Sequence, residues 1–331
     1  MQRVRYGIIG FGRFAEKAIA PAIRASGNSE LVAIQKRSRE AVEQKARELG
    51  VPHAFDSVEA LAAHRGIDAV FIVSANSAHC PEALAAARGG KHVLVEKPMA
   101  MNVREGEQMI AACRDAGVKL MVGHMLRFSP LVARMRELMR QKAIGDPVYG
   151  RAEFVYDARL SHRGWLYDRR VAGGGPVFDI GVHCLDTLRY VLDDEVIETD
   201  SELEPEPTDT RTEATAALQL RFSRGTVGSI FCSYAVPLRR TFIEIIGTEG
   251  VINASNFTVG DRTTPLTILR GKDDQSTVDR VEEIVVPNLY VEEITHFSDC
   301  ILNDKAPLLS GDNGVRNQVV LDAAMQRRRN V

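Results

Sequence analysis

A short apolar run at residues 6–9 opens the chain, and runs of the same kind recur at 31–34, 67–73, 92–95 and 119–122. Compact runs of four to seven apolar residues are the mark of strands covered on both faces. Between them, apolar positions return at helical spacing. One such stretch reaches about Ser26, a second covers 39–49 and stops at Gly50, and others cover 58–64, 81–88 (ended by Gly89-Gly90) and 103–116. Strand–helix–strand repetition with short connections predicts a parallel, doubly wound sheet.

From about Val148 the period falls to two. Residues 149–157, 212–222, 226–234 and 241–246 alternate as strands of a mostly antiparallel sheet with one apolar face. Apolar residues at both parities in 226–235 suggest that its second face is also covered. Helices are expected at 131–142, 179–192, 291–303 and 314–328, and an acidic, proline-containing loop at 201–210. The fold class is α/β, with an N-terminal doubly wound domain over 1–124 and a C-terminal α/β domain with an open, mostly antiparallel sheet over 125–331.

Composition narrows this picture. At 331 residues the chain can hold about two domains and bury a sizeable core without disulfides or a structural metal. A net charge of −2 gives no electrostatic case for nucleic acid or an anionic membrane, and Arg327-Arg328-Arg329 is too short a basic tail to change that. Five cysteines, at 80, 113, 184, 232 and 300, lack CxxC spacing and fit reduced thiols in the cytoplasm. The start has no long apolar segment of a signal peptide, and no run of about 18 apolar residues suggests a membrane span.

The chemistry gathers in three segments. Gly10-Phe11-Gly12-Arg13-Phe14-Ala15 follows a strand and opens a helix, the context in which G-x-G-x-x-A binds a dinucleotide. Gly10 permits the tight turn, Gly12 leaves room for a pyrophosphate, and Ala15 lets helix and strand pack closely. The helix N-terminus supplies amides and a positive dipole end. After the second strand an NAD site usually carries an acidic residue for the ribose hydroxyls. Here stand Gln35-Lys36-Arg37-Ser38-Arg39, which suits a 2′-phosphate and favours NADP(H), with NAD(H) possible. Ser38 is equally placed to cap the next helix.

The second segment is Glu96-Lys97-Pro98 at the end of a strand, where ligands bind in open parallel sheets. Lys97 there can hydrogen-bond a substrate hydroxyl, and Pro98 admits a cis bond; an exposed turn lysine is the plainer reading. The third runs from Gly173-Gly174-Gly175-Pro176 to Asp179 and His183, four apart on one helix face. His183 can exchange a proton near neutral pH, with Asp179 orienting it or binding the same hydroxyl. A capping Asp beside a packed interior His is the alternative. Zinc is not expected, because Cys184 points about 100° from His183 and no second ligand cluster accompanies them. A loop of nearly 20 residues before Gly175 carries Arg159, His162, Arg163, Trp165 and Tyr167, and reads either as a sugar-contacting loop or as a rim stapled by Trp165.

Taken together, these segments resemble the Gfo/Idh/MocA family of glucose–fructose oxidoreductase and inositol 2-dehydrogenase. The resemblance rests on GFGRFA, SANSAHCPEALAAARGGKHVLVEKP, GHMLRFSP, GGGPVFDIGVHCLDTLRYVL and the closing LLSGDNGVRNQVVLDAA. It implies a Rossmann domain, a C-terminal α/β domain and a nicotinamide lying between them. Lys97, Asp179 and His183 match the family's catalytic lysine, aspartate and histidine. Ser74, Asn76, His79, Glu96 and Lys97 fall on positions that line the cofactor, joining Gly10, Phe11, Gly12, Arg13, Phe14, Lys36, Arg37 and Ser38. Arg163 and Trp165 join the catalytic three as expected substrate contacts. Arg127 matches a family arginine without an assigned role, and Met125 stands where many members carry a polar residue. The resemblance implies hydride transfer to or from a sugar, cyclitol or related polyol, in a homodimer or homotetramer. Two alternatives are an NAD-dependent glycoside hydrolase of the same superfamily and a non-catalytic nucleotide sensor.

Overall fold

The computed structural model describes residues 2–161, 163–272 and 275–326; His162 and Arg327-Arg328-Arg329 lie outside the described residues. The chain gathers into two compact units, Met1–His124 with Tyr290–Gln318, and Met125–Leu289 with the chain from Val319. The chain leaves the first unit after residue 124 and returns to it at Tyr290. The returning segment supplies partners that residues 1–124 lack. Val122 N donates to Leu309 O at 3.0 Å, Asn317 Nδ2 bonds His124 Nε2 at 2.9 Å, and the Tyr6 hydroxyl bonds that of Ser298 at 2.9 Å.

The first unit is a six-stranded parallel sheet in the order β3-β2-β1-β4-β5-β6. Its strands are β1 (Val4–Ile9), β2 (Ser29–Gln35), β3 (His53–Phe55), β4 (Ala69–Ile72), β5 (His92–Glu96) and β6 (Leu120–Gly123). β3 was not expected, because three half-buried residues are too few to show a period. The strand order reverses between β1 and β4, and in sheets of this kind that reversal opens a ligand crevice.

Helices α1 (Ala20–Ala25), α2 (Arg39–Leu49), α3 (Val58–Ala63), α4 (Asn76–Arg88) and α5 (Val103–Asp115) connect the strands. α1 is preceded by a widened π turn, Ala15–Ile19, and carries Pro21 in its first turn. α2 ends on Gly50 in the left-handed region at φ 63°. α4 starts five residues before the expected Pro81, so Asn76 and His79 lie on the helix; Pro81 removes one amide donor and leaves the rest of the ladder intact.

In the second unit α6 (Pro130–Arg140), α7 (Arg169–Ala172) and α8 (Val182–Leu192) accompany eight strands in the order β14-β13-β12-β11-β7-β10-β9-β8. These are β7 (Pro147–Asp157), β8 (Val196–Glu204), β9 (Thr215–Phe222), β10 (Val227–Ser233), β11 (Ala235–Gly247), β12 (Gly250–Ser255), β13 (Arg262–Lys272) and β14 (Gln275–Val286). All neighbours run antiparallel except β7 and β10. Residues 201–204, expected in a loop, form the end of edge strand β8, with Ser201 and Leu203 facing inward. α8 packs against the covered face, contributing Leu185, Leu188 and Val191 to a core with Phe154, Leu218, Ile230 and Ile243. The other face carries Val227, Phe231, Val278, Val281 and Val285, all exposed. Helices α9 (Leu289–Leu302) and α10 (Gly311–Met325) close the chain, the last turns of α10 packing Leu321 and Ala324 into the second unit's core.

Candidate active site

The turn after β1 is built for close approach. Gly10 has φ +79°, and a Cβ on it would meet Ser74 Cα at 2.7 Å. A Cβ on Gly12 would meet nothing nearer than Gly10 O at 3.8 Å, so its position opens to solvent. Buried Gln35 ties the turn to β2: its Oε1 accepts Gly10 N at 3.1 Å and its carbonyl accepts Phe11 N at 2.9 Å. Phe11 is buried, while Gly12, Arg13 and Phe14 are exposed. This rim, with a positive-φ glycine and an exposed Gly12 ahead of a helix, fits a dinucleotide pyrophosphate.

Next along the rim, Lys36 is half-buried and Arg37 exposed, and neither is in a salt bridge among the described residues. Arg39, by contrast, pairs with Glu43 and Asp56. Ser38 caps α2, its Oγ accepting Ala41 N at 3.3 Å; the hydroxyl proton is not used by that bond. His79, expected along the cofactor, is fully buried. Its Nδ1 lies 2.9 Å from Pro98 O and its Nε2 3.2 Å from Ser74 O. Burial outweighs those carbonyls and pushes it down to about 4, so it is a neutral brace between two turns, with no surface for a ligand. Asn76 is buried at the start of α4.

Glu96 ends β5, and its Oε2 accepts Lys97 N at 3.2 Å. The Lys97–Pro98 bond is cis and the lysine side chain is half-buried.

In the second unit, Asp179 lies on a π turn, Val177–Gly181, and His183 on α8, so the four-residue spacing crosses a widened turn rather than regular helix. Both side chains are buried. Arg163 reaches Asp179 with both amino groups, at 3.2 Å and 3.1 Å, and the Tyr156 hydroxyl donates to Asp179 Oδ2 at 2.9 Å while accepting Arg163 Nη2 at 2.9 Å. Burial and then the Asp179 charge lift the Tyr156 phenol above its usual range, so it stays a proton donor in this bond. Burial works against the Arg163 charge, but Asp179 and Tyr156 more than offset it. The approach to this turn is fixed by Glu213, whose Oε1 accepts Gly175 N at 2.8 Å and Val177 N at 3.1 Å. A Cβ on Gly175 would fall 2.1 Å from Glu213 O, which explains the last glycine of the run.

The long loop before Gly175 is two 3-10 turns and α7. Trp165 is half-buried against the core, with the Arg163 guanidinium 6.0 Å from its ring. Arg127 forms a two-bond pair with Asp186, at 2.8 Å each, and lies over Tyr190, a structural role inside the second unit. The bonds of Gln35 to the glycine turn, and the parts played by Tyr156 and Glu213, were not anticipated. The one available signal was strand parity, which puts Tyr156 on the inward face with Ala152 and Phe154.

A doubly wound domain with a glycine-rich dinucleotide turn, joined to a sheet domain carrying a buried Asp/His pair, defines a nicotinamide-nucleotide oxidoreductase. Residues 4–124 match the model of the oxidoreductase family with an NAD-binding Rossmann fold, and residues 132–253 match the GFO/IDH/MocA C-terminal domain. The chain is 31% identical to 1,5-anhydro-D-fructose reductase of Ensifer adhaerens over 94% of its own length and 92% of that protein. It is 27% identical to an NADP(+)-dependent D-xylose 1-dehydrogenase of Haloarcula marismortui, covering 94% of this chain and 87% of the other. Aldose-aldose oxidoreductase from Caulobacter crescentus, solved with glycerol, superposes with a TM-score of 0.87 at 27% identity, covering 99% of both chains. The chain belongs to the Gfo/Idh/MocA oxidoreductase family, and it is an NAD(P)-dependent enzyme.

Proposed function

We propose that the protein is an NADP(H)-preferring dehydrogenase or reductase acting on a carbinol or carbonyl carbon of a sugar, cyclitol or related polyol. The observation that carries this reading is Asp179, a buried carboxylate oriented by Arg163 and Tyr156 one turn ahead of His183. In this reading His183 exchanges the proton of the reacting hydroxyl, Asp179 holds that hydroxyl or the imidazole in place, and Lys97 hydrogen-bonds a substrate hydroxyl. A bound nicotinamide supplies or accepts the hydride. Arg163 and Trp165 border the substrate, the indole offering a flat apolar face to a sugar ring. Gly10, Gly12, Arg13, Phe14, Ser74, Asn76 and Glu96 line the dinucleotide, and Lys36, Arg37 and the Ser38 hydroxyl receive the 2′-phosphate. NADP is also the cofactor in the name of the xylose dehydrogenase relative.

A homodimer formed through the open face of the second sheet completes the reading. Pairing registers put Val227, Phe231, Phe242, Val278, Val281 and Val285 on that one face, and five of these are exposed. Five buried free thiols support a reducing, cytoplasmic setting. Among the described residues no helix is long and apolar enough to cross a membrane.

The test is a reductase and dehydrogenase screen over sugars and cyclitols with both nucleotides, joined to calorimetric titration. NADPH is expected to bind at least about tenfold tighter than NADH, since a charge-assisted hydrogen bond contributes about 1.5–3 kcal/mol. Lys97→Ala and His183→Ala should each lower kcat at least about 100-fold with nucleotide affinity within a few-fold. Equal nucleotide affinities would remove the NADP preference, and full turnover by His183→Ala would remove its role.

A further inference from the structure

A carboxyl group sits behind the dinucleotide turn. Glu82, on α4, accepts a 2.5 Å hydrogen bond from the Ser74 hydroxyl. Ser74 in turn abuts Gly10, whose absent Cβ would overlap it at 2.7 Å. The turn, Ser74 and Glu82 are therefore in direct succession within the first unit. Three neighbouring elements present charge or polarity to the carboxyl: Arg37 after β2, Glu59 on α3, and Ser74 after β4. On its own helix His79 is neutral and engaged with backbone.

We propose that Glu82 is a positioning residue for the cofactor, acting through Ser74, and that it takes up a proton when the dinucleotide binds. The proposal rests on the dinucleotide reading of the Gly10 turn. While Glu82 is ionised, the Ser74 proton is committed to it and Ser74 offers the rim only lone pairs. Those lone pairs repel phosphate oxygens. Once Glu82 is protonated, its own O–H donates to Ser74, and the Ser74 proton turns outward as a donor. One proton passes from solvent to the carboxylate; no other bond changes. Burial already pushes Glu82 up to about 7, against the opposing effects of Ser74 and Arg37, so the exchange falls in the neutral range. Arriving negative charge raises it further. The sign follows: nucleotide affinity is greatest below that range and declines as pH rises through it.

The experiment is titration of the full-length protein with NADH in buffers of different ionisation enthalpy near pH 7.5, for wild type and Glu82→Gln. NADH is used first because the 2′-phosphate of NADPH titrates near pH 6 itself. The wild type is expected to take up a fraction of a proton per NADH bound, and its Kd to weaken about three- to tenfold between pH 6 and pH 8. Glu82→Gln, which keeps a hydrogen-bonding amide beside Ser74, should show no uptake and a flat profile. Ser74→Ala should likewise flatten it. Identical uptake in wild type and Glu82→Gln overturns the proposal. Failure of the folded wild type to bind either nucleotide overturns the dinucleotide reading and this inference with it.

Discussion

Asp179 is oriented by two groups outside its own segment, so its chemistry depends on side chains up to 23 positions upstream. Tyr156→Phe deletes one of them and leaves the ring to pack. A hydrogen bond to a charged group contributes about 1.5–3 kcal/mol, and on the reading proposed above kcat should drop by roughly tenfold or more. KM and melting temperature should move much less, a split that steady-state kinetics and a thermal melt together would reveal. Unchanged kcat would make the Tyr156 bond a packing detail. Lys36 and Arg37 drew notice in the sequence because they stand where an acidic residue is usual, and the 2′-phosphate role proposed for them starts from that substitution. Glu82 and Glu213 were not, since a lone carboxyl on a helix or before a strand looks like solvated surface until its burial is seen. Arg163 was expected to face substrate; its two bonds to Asp179 are what the folded loop reveals.

At the scale of elements, the two glycines of the first turn answer different demands, and their variants should separate them. Gly10→Ala places a Cβ against Ser74 in a backbone conformation that L residues rarely adopt, and should lower the melting temperature clearly. Gly12→Ala makes only an ordinary contact with Gly10 O and should melt near the wild type while losing nucleotide affinity, as titration would show. If both lost stability alike, Gly12 would be serving the fold rather than the ligand. The parallel strands of the first unit were readable because burial on both faces leaves uninterrupted apolar runs. β8 was hidden by its acidic composition, which an edge strand tolerates on its wet side. β13 carries Pro265 within its run and β14 is rich in charge, so neither read as a strand. Both π turns were invisible, because a one-residue widening leaves the apolar spacing almost unchanged, yet one of them aims Asp179.

For the molecule as a whole, the uncovered face of the second sheet sets the expected assembly. Exposed valines and Phe231 in one plane are the kind of patch that marks an interface. Light scattering at micromolar concentration should report at least twice the chain mass, and Phe231→Arg should shift the population toward monomer without lowering secondary-structure content. A wild type that stays monomeric at that concentration would refute the dimer. The expectation from the sequence was that both faces of this sheet are covered; among the described residues one is, because α6, α8 and the last turns of α10 all pack into the core on the same side.

The return of the chain at Tyr290 also bears on how the protein is made. The roughly 185 residues between His124 and Leu309 take on the order of ten to forty seconds to emerge from a ribosome. Throughout that interval Val122 has no Leu309 carbonyl to bond, and for most of it Tyr6 has no Ser298. The nucleotide domain is thus begun first and finished nearly last, a nascent parallel sheet kept waiting while its neighbour is still being synthesised.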